Sequence, residues 1–416
     1  MEKENIYLVN DLGYGFIKAL ALHPKDGRLV TLNQILMPSV FAVEREQDMS
    51  DPETFRSDKE LEDYVDNIFE HLDVVVQSPS IKDANRVLIG QNAINSHLDL
   101  TSFDVYDLNG KAQDQNSIRL TLSTIAGQAV KQYFSKHHEI PDEIDANVKM
   151  VTALPPLEGK QNDLLNFYSN LYLKHNHLVI LHNFSKLVTV KIHFNKNSLI
   201  VALEGEAAQY EIMSGTSKEL TKSIKEDFDK NYPDKAADIS GEDLIGMQNT
   251  LGIDIGEGTT DLAVFTNSRV NELASTSLQV GYGNTLEAAI DDMRSKQMNF
   301  QSRAELNSFL KDKPNKLNEY RHNFVNKAVY AQLDQFANRI VSAMSKVLNA
   351  NSSAIDIIYV YGGGSIPVKD ILRPKIVEKT RSFNGQQEIP VIFIDKPYAQ
   401  YLNEAGLQII MQKNFS

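Results

Sequence analysis

Two stretches of the chain read as copies of one another. Tyr7-Leu8-Val9-Asn10-Asp11-Leu12-Gly13-Tyr14-Gly15-Phe16-Ile17-Lys18 opens the chain, and Leu251-Gly252-Ile253-Asp254-Ile255-Gly256-Glu257-Gly258-Thr259-Thr260-Asp261-Leu262-Ala263-Val264-Phe265 begins its second half. Each is an apolar, β-favouring run, an Asp, a Gly-x-Gly turn and a second strand. The glycines permit positive φ or close backbone approach at a hairpin tip. A tip bent this way turns backbone N–H groups to one side, and such concavities hold anions such as phosphate. A carboxylate beside the tip repels a phosphate unless a cation stands between them. Mg²⁺, held through waters, a carboxylate and phosphate oxygens, meets that requirement. Asp11 and Asp254 are therefore the candidate metal-side carboxylates. Lys18, three residues past Gly15, can place a point charge on the same phosphates. The arrangement implies two similar lobes, each presenting a hairpin to one ligand. One Asp-x-Gly-x-Gly alone is equally an ordinary glycine-turn hairpin. Two in matching strand context, with the third glycine loop below, weigh against that reading.

Length and composition narrow the classes. The 416 residues are enough for two or more domains with cores of their own, and 42% apolar residues is a globular proportion. The net charge of −13, from 42 basic and 55 acidic residues, argues against a broad direct nucleic-acid surface. There is no cysteine, hence no disulfide, thiolate metal site or thiol nucleophile. No apolar run reaches the roughly eighteen residues of a membrane span, and the polar start Met1-Glu2-Lys3-Glu4-Asn5 is no signal peptide. No membrane association is expected, and a cytoplasmic location is.

The pattern along the chain predicts a β-meander over 6–43 and a polar, irregular stretch over 44–115. A helix follows over 117–136, then a buried strand over 148–155 stopped by Pro155 and Pro156. A helix is expected over 160–174 and strands within 177–194. Residues 205–247 start helical and then read as a charged, loop-like surface excursion around Asn231-Tyr232-Pro233-Asp234. After the second hairpin, Gly281-Tyr282-Gly283-Asn284 opens a helix at Thr285–Met293. A long amphipathic helix spans 323–348, and the apolar strand Ile355–Val360 runs into Gly362-Gly363-Gly364-Ser365. The apolar tail Gly406–Met411 is expected to pack back on the first lobe.

Two Asp-x-Gly hairpins followed by an apolar strand and a triple-glycine turn resemble the phosphate and adenosine loops of the actin/Hsp70/sugar-kinase ATPases. Further features resemble the plasmid-segregating actins of the ParM/StbA type: Thr152-Ala153-Leu154-Pro155, the strand pair over 178–194, Leu203-Glu204 with Tyr210 six residues on, Gly281-Tyr282-Gly283-Asn284, and the segment 398–406. The resemblance implies an α/β, two-lobed actin-like fold with duplicated ribonuclease-H-like domains and small inserted subdomains. The first lobe would span 1–204 plus 398–416, with an insertion at about 44–115. The second would span 205–397, with a smaller insertion at about 285–325. It implies ATP/ADP and Mg²⁺ between the lobes. Glu204 would polarise the attacking water, and Asp254 would hold the metal's water shell. Asp11, Gly13, Tyr14, Gly15, Phe16 and Lys18 would form one jaw, and Gly256, Glu257, Gly258, Thr259 and Thr260 the other. The hydroxyls of Thr259 and Thr260 could donate to the β/γ-phosphates. Gly281, Gly283 and Asn284 would add to the nucleotide site, Lys327 could line the adenine pocket, and Gly362, Gly363, Gly364 and Ser365 would back the adenosine. Many relatives carry Ser or Thr in the first hairpin; Tyr14 and Phe16 replace that hydroxyl contact, leaving backbone N–H groups to serve.

The function this implies is an ATPase that polymerises with itself into nucleotide-dependent filaments for plasmid DNA segregation, through a DNA-binding adaptor on a centromere-like site. Alternatives are a sugar-type small-molecule kinase of the same superfamily, for which no segment supplies a clear catalytic Asp, and a non-filamentous Hsp70-like switch. His175, His177, His182 and His193 cluster along 175–194, where surface histidines on a hairpin are weighed against zinc. Glu206, two residues from Glu204, is equally placed as a carboxylate at a helix start. There is no His-Glu-x-x-His and no Gly-x-x-x-x-Gly-Lys-Ser/Thr.

Overall fold

The computed structural model describes residues 3–45, 47, 49, 52–107, 109–159, 163–350, 355–383 and 388–416. The first half builds β1 (Lys3–Leu12), β2 (Phe16–Lys25), β3 (Arg28–Pro38), β4 (Val40–Val43), α1 (Asp58–Asp66), β5 (Asp73–Gln77), β6 (Arg86–Ile89), α2 (Gln91–Asn95), β7 (Leu100–Ser102), α3 (Gln115–His137), β8 (Glu143–Leu154), α4 (Pro156–Gly159), α5 (Leu164–Leu173), β9 (His177–Leu181) and β10 (Val188–Leu203). The strands form one sheet in the order β3-β2-β1-β8-β10-β9-β5-β6-β4-β7. The polar stretch 44–115 thus supplies strands that extend the first sheet, β5 pairing antiparallel with β9.

The second half repeats the plan. It comprises α6 (Glu206–Ser214), α7 (Lys218–Asn231), α8 (Gly241–Ile245), β11 (Thr250–Ile255), β12 (Thr260–Thr266), β13 (Arg269–Val270), β14 (Thr276–Leu278), α9 (Tyr282–Arg294), α10 (Arg303–Lys311), α11 (Glu319–Ala350), β15 (Ile357–Tyr361), α12 (Ser365–Arg381), β16 (Val391–Phe393), α13 (Lys396–Ala399) and α14 (Leu402–Phe415). In the first sheet a central strand, β1, has an antiparallel hairpin partner on one side and the parallel strands β8 and β10 on the other. In the second, β11 has β12 on one side and the parallel strands β15 and β16 on the other. Parallel strands covered on both faces read as continuous apolar runs, because both sides of the pleat are buried. Ile357, Tyr359 and Tyr361 of β15 pack with α6 and α7, while Ile358 and Val360 pack with α11 and α12.

The stretch 216–247, expected as a charged surface excursion, is instead a helical layer on the second sheet. Leu220, Ile224 and Phe228 recur every fourth residue on α7 and are buried with Tyr232 and Leu244. Its charges lie on the outer face, and Asp227 fastens it inward, accepting from Arg373 Nη2 at 2.6 and 2.8 Å and from the Phe393 N–H at 3.1 Å. The apolar tail does return to the first lobe, where Leu407 and Met411 of α14 join Val9, Leu20 and Val151. Between the lobes, α14 crosses α6 so closely that a Cβ on Gly406 would collide with the Ala207 carbonyl. No helix of the described residues is long and apolar enough to cross a membrane.

Candidate functional site

The two hairpins are the same object built twice. In the first, the Gly13 N–H donates to the Phe16 carbonyl at 3.0 Å; in the second, the Gly256 N–H donates to the Thr259 carbonyl at 2.9 Å. Among the described residues, no hydrogen bond claims the N–H groups of Tyr14 and Gly15 at one tip, or of Glu257 and Gly258 at the other. The tips meet across the cleft. A Cβ on Gly15 would collide with the Glu257 carboxylate, and one on Gly258 with the Tyr14 ring, so the second glycine of each turn is needed for the approach.

One matched position gives the hairpins opposite charge. Asp11 pairs in register with Lys18, and Asp254 pairs in register with Asp261. Strand alternation puts Asp11 and Lys18 on the β1–β2 face that packs on α14, and Asp254 and Asp261 on the β11–β12 face toward α6. Lys18 Nζ stands 2.6 Å from Asp11 Oδ2, so the first pair compensates itself. Burial pulls the Lys18 ammonium down, but Asp11, with Asp254 and Glu204 adding, outweighs it and the net shift is upward. The second pair has no such cation. Burial lifts Asp261 to about 7, with Asp254 adding to the shift. Asp254 rises to about 6, mainly by burial. Asp261 Oδ2 accepts from the Thr259 hydroxyl at 3.0 Å, while its Oδ1 is buried without a hydrogen-bond partner.

That unpartnered oxygen is the fit test for a divalent cation. Two facing carboxylates, both pushed toward protonation, are what a cation would relieve. Among the described residues no three His, Asp or Glu side chains form a ready metal cage. Mg²⁺ does not need one, since it keeps waters and binds through one or two carboxylates plus phosphate oxygens. Asp254 and Asp261 fit that donor set. Asp11, expected on the metal side, has its charge taken up by Lys18.

Glu204 lies at the end of β10, beside Gly205, whose φ of 75° turns the chain into α6. Its Oε1 accepts from Lys111 Nζ, which also donates to the Leu12 carbonyl at 2.7 Å. Lys111 is 2% exposed. Glu158, also buried, accepts from the Lys111 and Ala112 N–H groups at 3.2 and 2.8 Å and so fixes the lysine's backbone. Burial drives Glu204 up to about 8, with Lys111 opposing and Asp261 and Asp11 adding to the rise. Asn403 of α14 ties the centre together. Its Oδ1 accepts from the Gly205 N–H at 3.0 Å and its Nδ2 donates to Asp254 Oδ2 at 2.6 Å.

The structure gathers most of the expected residues but changes several roles. The hydroxyls of Thr259 and Thr260 are engaged within the protein, donating to Asp261 and to the Val280 carbonyl, and so are not free phosphate donors here. The Glu257 carboxylate faces Arg303, with Nε 3.2 Å away, leaving only its backbone for an anion. Gly281, Gly283 and Asn284 buttress the second hairpin from behind. The Tyr282 and Gly283 N–H groups donate to the Gly256 and Glu257 carbonyls at 2.9 and 2.7 Å, and Asn284 accepts from the Gly281 N–H at 2.8 Å. Phe16 sits in the β2–β3 ladder opposite Pro38. Lys327 is exposed on α11, and among the described residues no hydrogen bond or ion pair links it to the cleft.

The third loop packs on the second hairpin. Gly362, at φ 87°, leaves no room for a Cβ beside Asp254 Oδ1, and the Gly364 N–H donates to the Ile255 carbonyl at 2.8 Å. Gly363 alone faces open space. Ser365, its hydroxyl on the Gly362 carbonyl at 2.8 Å, begins α12, so a helix N-terminus opens beside the hairpin.

Lys111, Glu158, Asp261 and Asn403 escape sequence reasoning as site residues. Asp261 had a signal, standing seven residues after Asp254 as Lys18 stands seven after Asp11. The Asn403 segment was recognisable, though not its role. Nothing in the sequence around Lys111 marks it. Among the described residues the histidines join no cluster of three ligating side chains that could hold a metal, and His177 is buried rather than on the surface, with its ring nitrogens on Ser78 Oγ at 3.0 Å and the Tyr172 carbonyl at 3.1 Å.

A family model described as archaeal actin homologue MreB-like, C-terminal, matches residues 252–374. No curated protein sequence matches the chain significantly. Among solved structures, the actin-like protein Alp7A is 16% identical with a TM-score of 0.60, covering 99% of this chain and 97% of its own. A non-polymerisable quadruple mutant of pCBH ParM is 15% identical with a TM-score of 0.58, covering 99% and 100%. Bacillus thuringiensis ParM with ATP is 15% identical with a TM-score of 0.55, covering 98% of each chain. At such identities the likeness establishes the fold, and the fold is actin-like.

Proposed function

We propose that this actin-like chain binds ATP between its two hairpins, hydrolyses it, and assembles into nucleotide-dependent filaments. The observation that carries the reading is the pair of matching tips, each with unclaimed N–H donors, meeting over an acidic pair on one side and an ion pair on the other. Phosphoryl transfer to water needs positioning and charge stabilisation more than covalent chemistry. The tip N–H groups cradle the phosphates. A bound Mg²⁺, held by Asp254 and Asp261, supplies charge neutralisation at the phosphate oxygens. Asn403 holds Asp254 in place. Lys111 holds Glu204 at the junction of the lobes, where its other oxygen can orient the attacking water. Gly363 and the N-terminus of α12 back the nucleoside side.

Self-assembly and plasmid segregation follow the likeness to ParM proteins, one of whose solved forms is described as non-polymerisable. With a net charge of −13, any link to DNA would run through a basic adaptor. Sedimentation with ATP, ADP and no nucleotide tests the reading, run beside phosphate release. Pelleting with ATP and not ADP, with phosphate release, supports it. ATP-dependent phosphorylation of a sugar panel without pelleting would instead favour the kinase.

A further inference from the structure

Helix α10 of the second lobe has both ends on the first lobe. At its start, Arg303, 4% exposed, sends Nη2 to the Phe103 carbonyl at 3.0 Å and to Ser102 Oγ at 3.4 Å, just past β7. The same guanidinium turns Nε to Glu257 at 3.2 Å and to Glu287 at 3.5 Å. At the far end, Lys311 Nζ lies 5.4 Å from the centre of the Phe16 ring at the foot of the first hairpin. Asn284 adds a bond to the Val105 carbonyl at 3.3 Å. Arginine suits such a bridge, because its planar fork serves a carboxylate and a carbonyl at once. The bridge is also incomplete, since Arg303 Nη1 is buried without a partner. A buried donor left unsatisfied weakens the closed arrangement that buries it.

We infer that α10 is a strap across the cleft mouth and that Arg303 is its latch, a positioning residue that holds the Glu257–Gly258 tip against Gly15 and slows nucleotide escape. This rests on the reading that nucleotide lies between the hairpins. The lobes also meet at the α6–α14 crossing, at the hairpin tips and at the bond from the Leu157 N–H to Ser277 Oγ at 3.1 Å, so releasing the strap weakens the cleft mouth while the crossing still holds the lobes together. Among the described residues Arg303 makes no hydrogen bond or ion pair with Glu204, Asp254 or Asp261, so it acts through the Glu257–Gly258 tip and the opening of the cleft.

The chain has no cysteine, so Glu62→Cys on α1 and Asn326→Cys on α11 give one spin label per lobe. In Arg303→Gln, the nucleotide-free interlobe distances are expected to lengthen and broaden relative to the parent. A fluorescent ADP analogue should leave roughly tenfold faster, the effect of losing about 1.4 kcal/mol of closure. Lys311→Ala, at an exposed position that threatens no core, should open the lobes in the same sense by a smaller amount. It also decides the matter if Arg303→Gln does not fold. Unchanged distances and unchanged ADP release in these variants would overturn the latch. Failure of the parent to bind the ADP analogue would count against the nucleotide reading instead, while the nucleotide-free distances still judge the strap.

Discussion

At the scale of single residues, one matched position gives the two jaws opposite charge. Three residues past the second glycine stands Lys18 in one hairpin and Asp261 in the other, each opposite an Asp. The first pair is neutral as built, and the second is the pair proposed above to hold a cation. Replacing Asp261 by Asn removes a buried acid beside Asp254 and so relieves repulsion. The nucleotide-free protein is expected to melt no lower than the parent, while the Mg²⁺ concentration needed for half-maximal phosphate release rises several-fold. Lys111→Met leaves Glu204 buried without its partner and so protonated; the lost buried hydrogen bonds cost roughly 1–3 kcal/mol, readable by urea denaturation, and hydrolysis should fall with it. His177 gives a pH dependence far from the cleft. Burial lowers its pKa below the usual 6.5, so folding favours the neutral ring. Its contribution is complete above that value and is lost as pH falls below it, at up to about 1.4 kcal/mol per pH unit. His177→Gln should flatten the parent's loss of stability between pH 6.5 and 5. These residues also mark the limits of sequence reading. Asp254 and Glu204 could be named as candidates because they sit in or beside a motif. Lys111 was not, because its partner lies 93 positions away and only the fold brings them together.

At the scale of elements, legibility followed periodicity. The strands of both sheet centres and the long helix α11 were visible as apolar runs and a 3.6-residue repeat. Helix α7 was half seen, because the density of Lys, Glu and Asp around Pro233 hid an apolar stripe only three residues long, Leu220, Ile224 and Phe228. The sequence could not show that Gly281–Asn284 hydrogen-bonds to the second hairpin, since a glycine turn reads the same from either side. The α6–α14 crossing is the element contact on which the relation of the lobes depends. Gly406→Val forces the helices apart, with an overpacking cost of about 1–3 kcal/mol or more. The melting temperature should drop, and nucleotide affinity should weaken along with it, because Asn403, three residues earlier, would lose either Gly205 or Asp254. A variant that melted lower but bound ATP as tightly as the parent would separate the crossing from the site.

At the scale of the molecule, a duplicated sheet places two identical turns face to face, and small differences at matched positions divide the work between them. The duplication was legible from the Gly-x-Gly copies alone. The close approach of the tips, Tyr14 on Gly258 and Glu257 on Gly15, emerged only with the structure. The central claim is that this meeting point is where ATP is hydrolysed with Glu204 orienting the water. It is tested most directly by comparing phosphate release and ATP binding in the parent and in Glu204→Gln, with Mg²⁺ present. The expected result is that Glu204→Gln binds ATP within a few-fold of the parent while release falls by a hundredfold or so, in the range typical of losing a positioned acid–base group. Phosphate release at the parental rate in Glu204→Gln would contradict it.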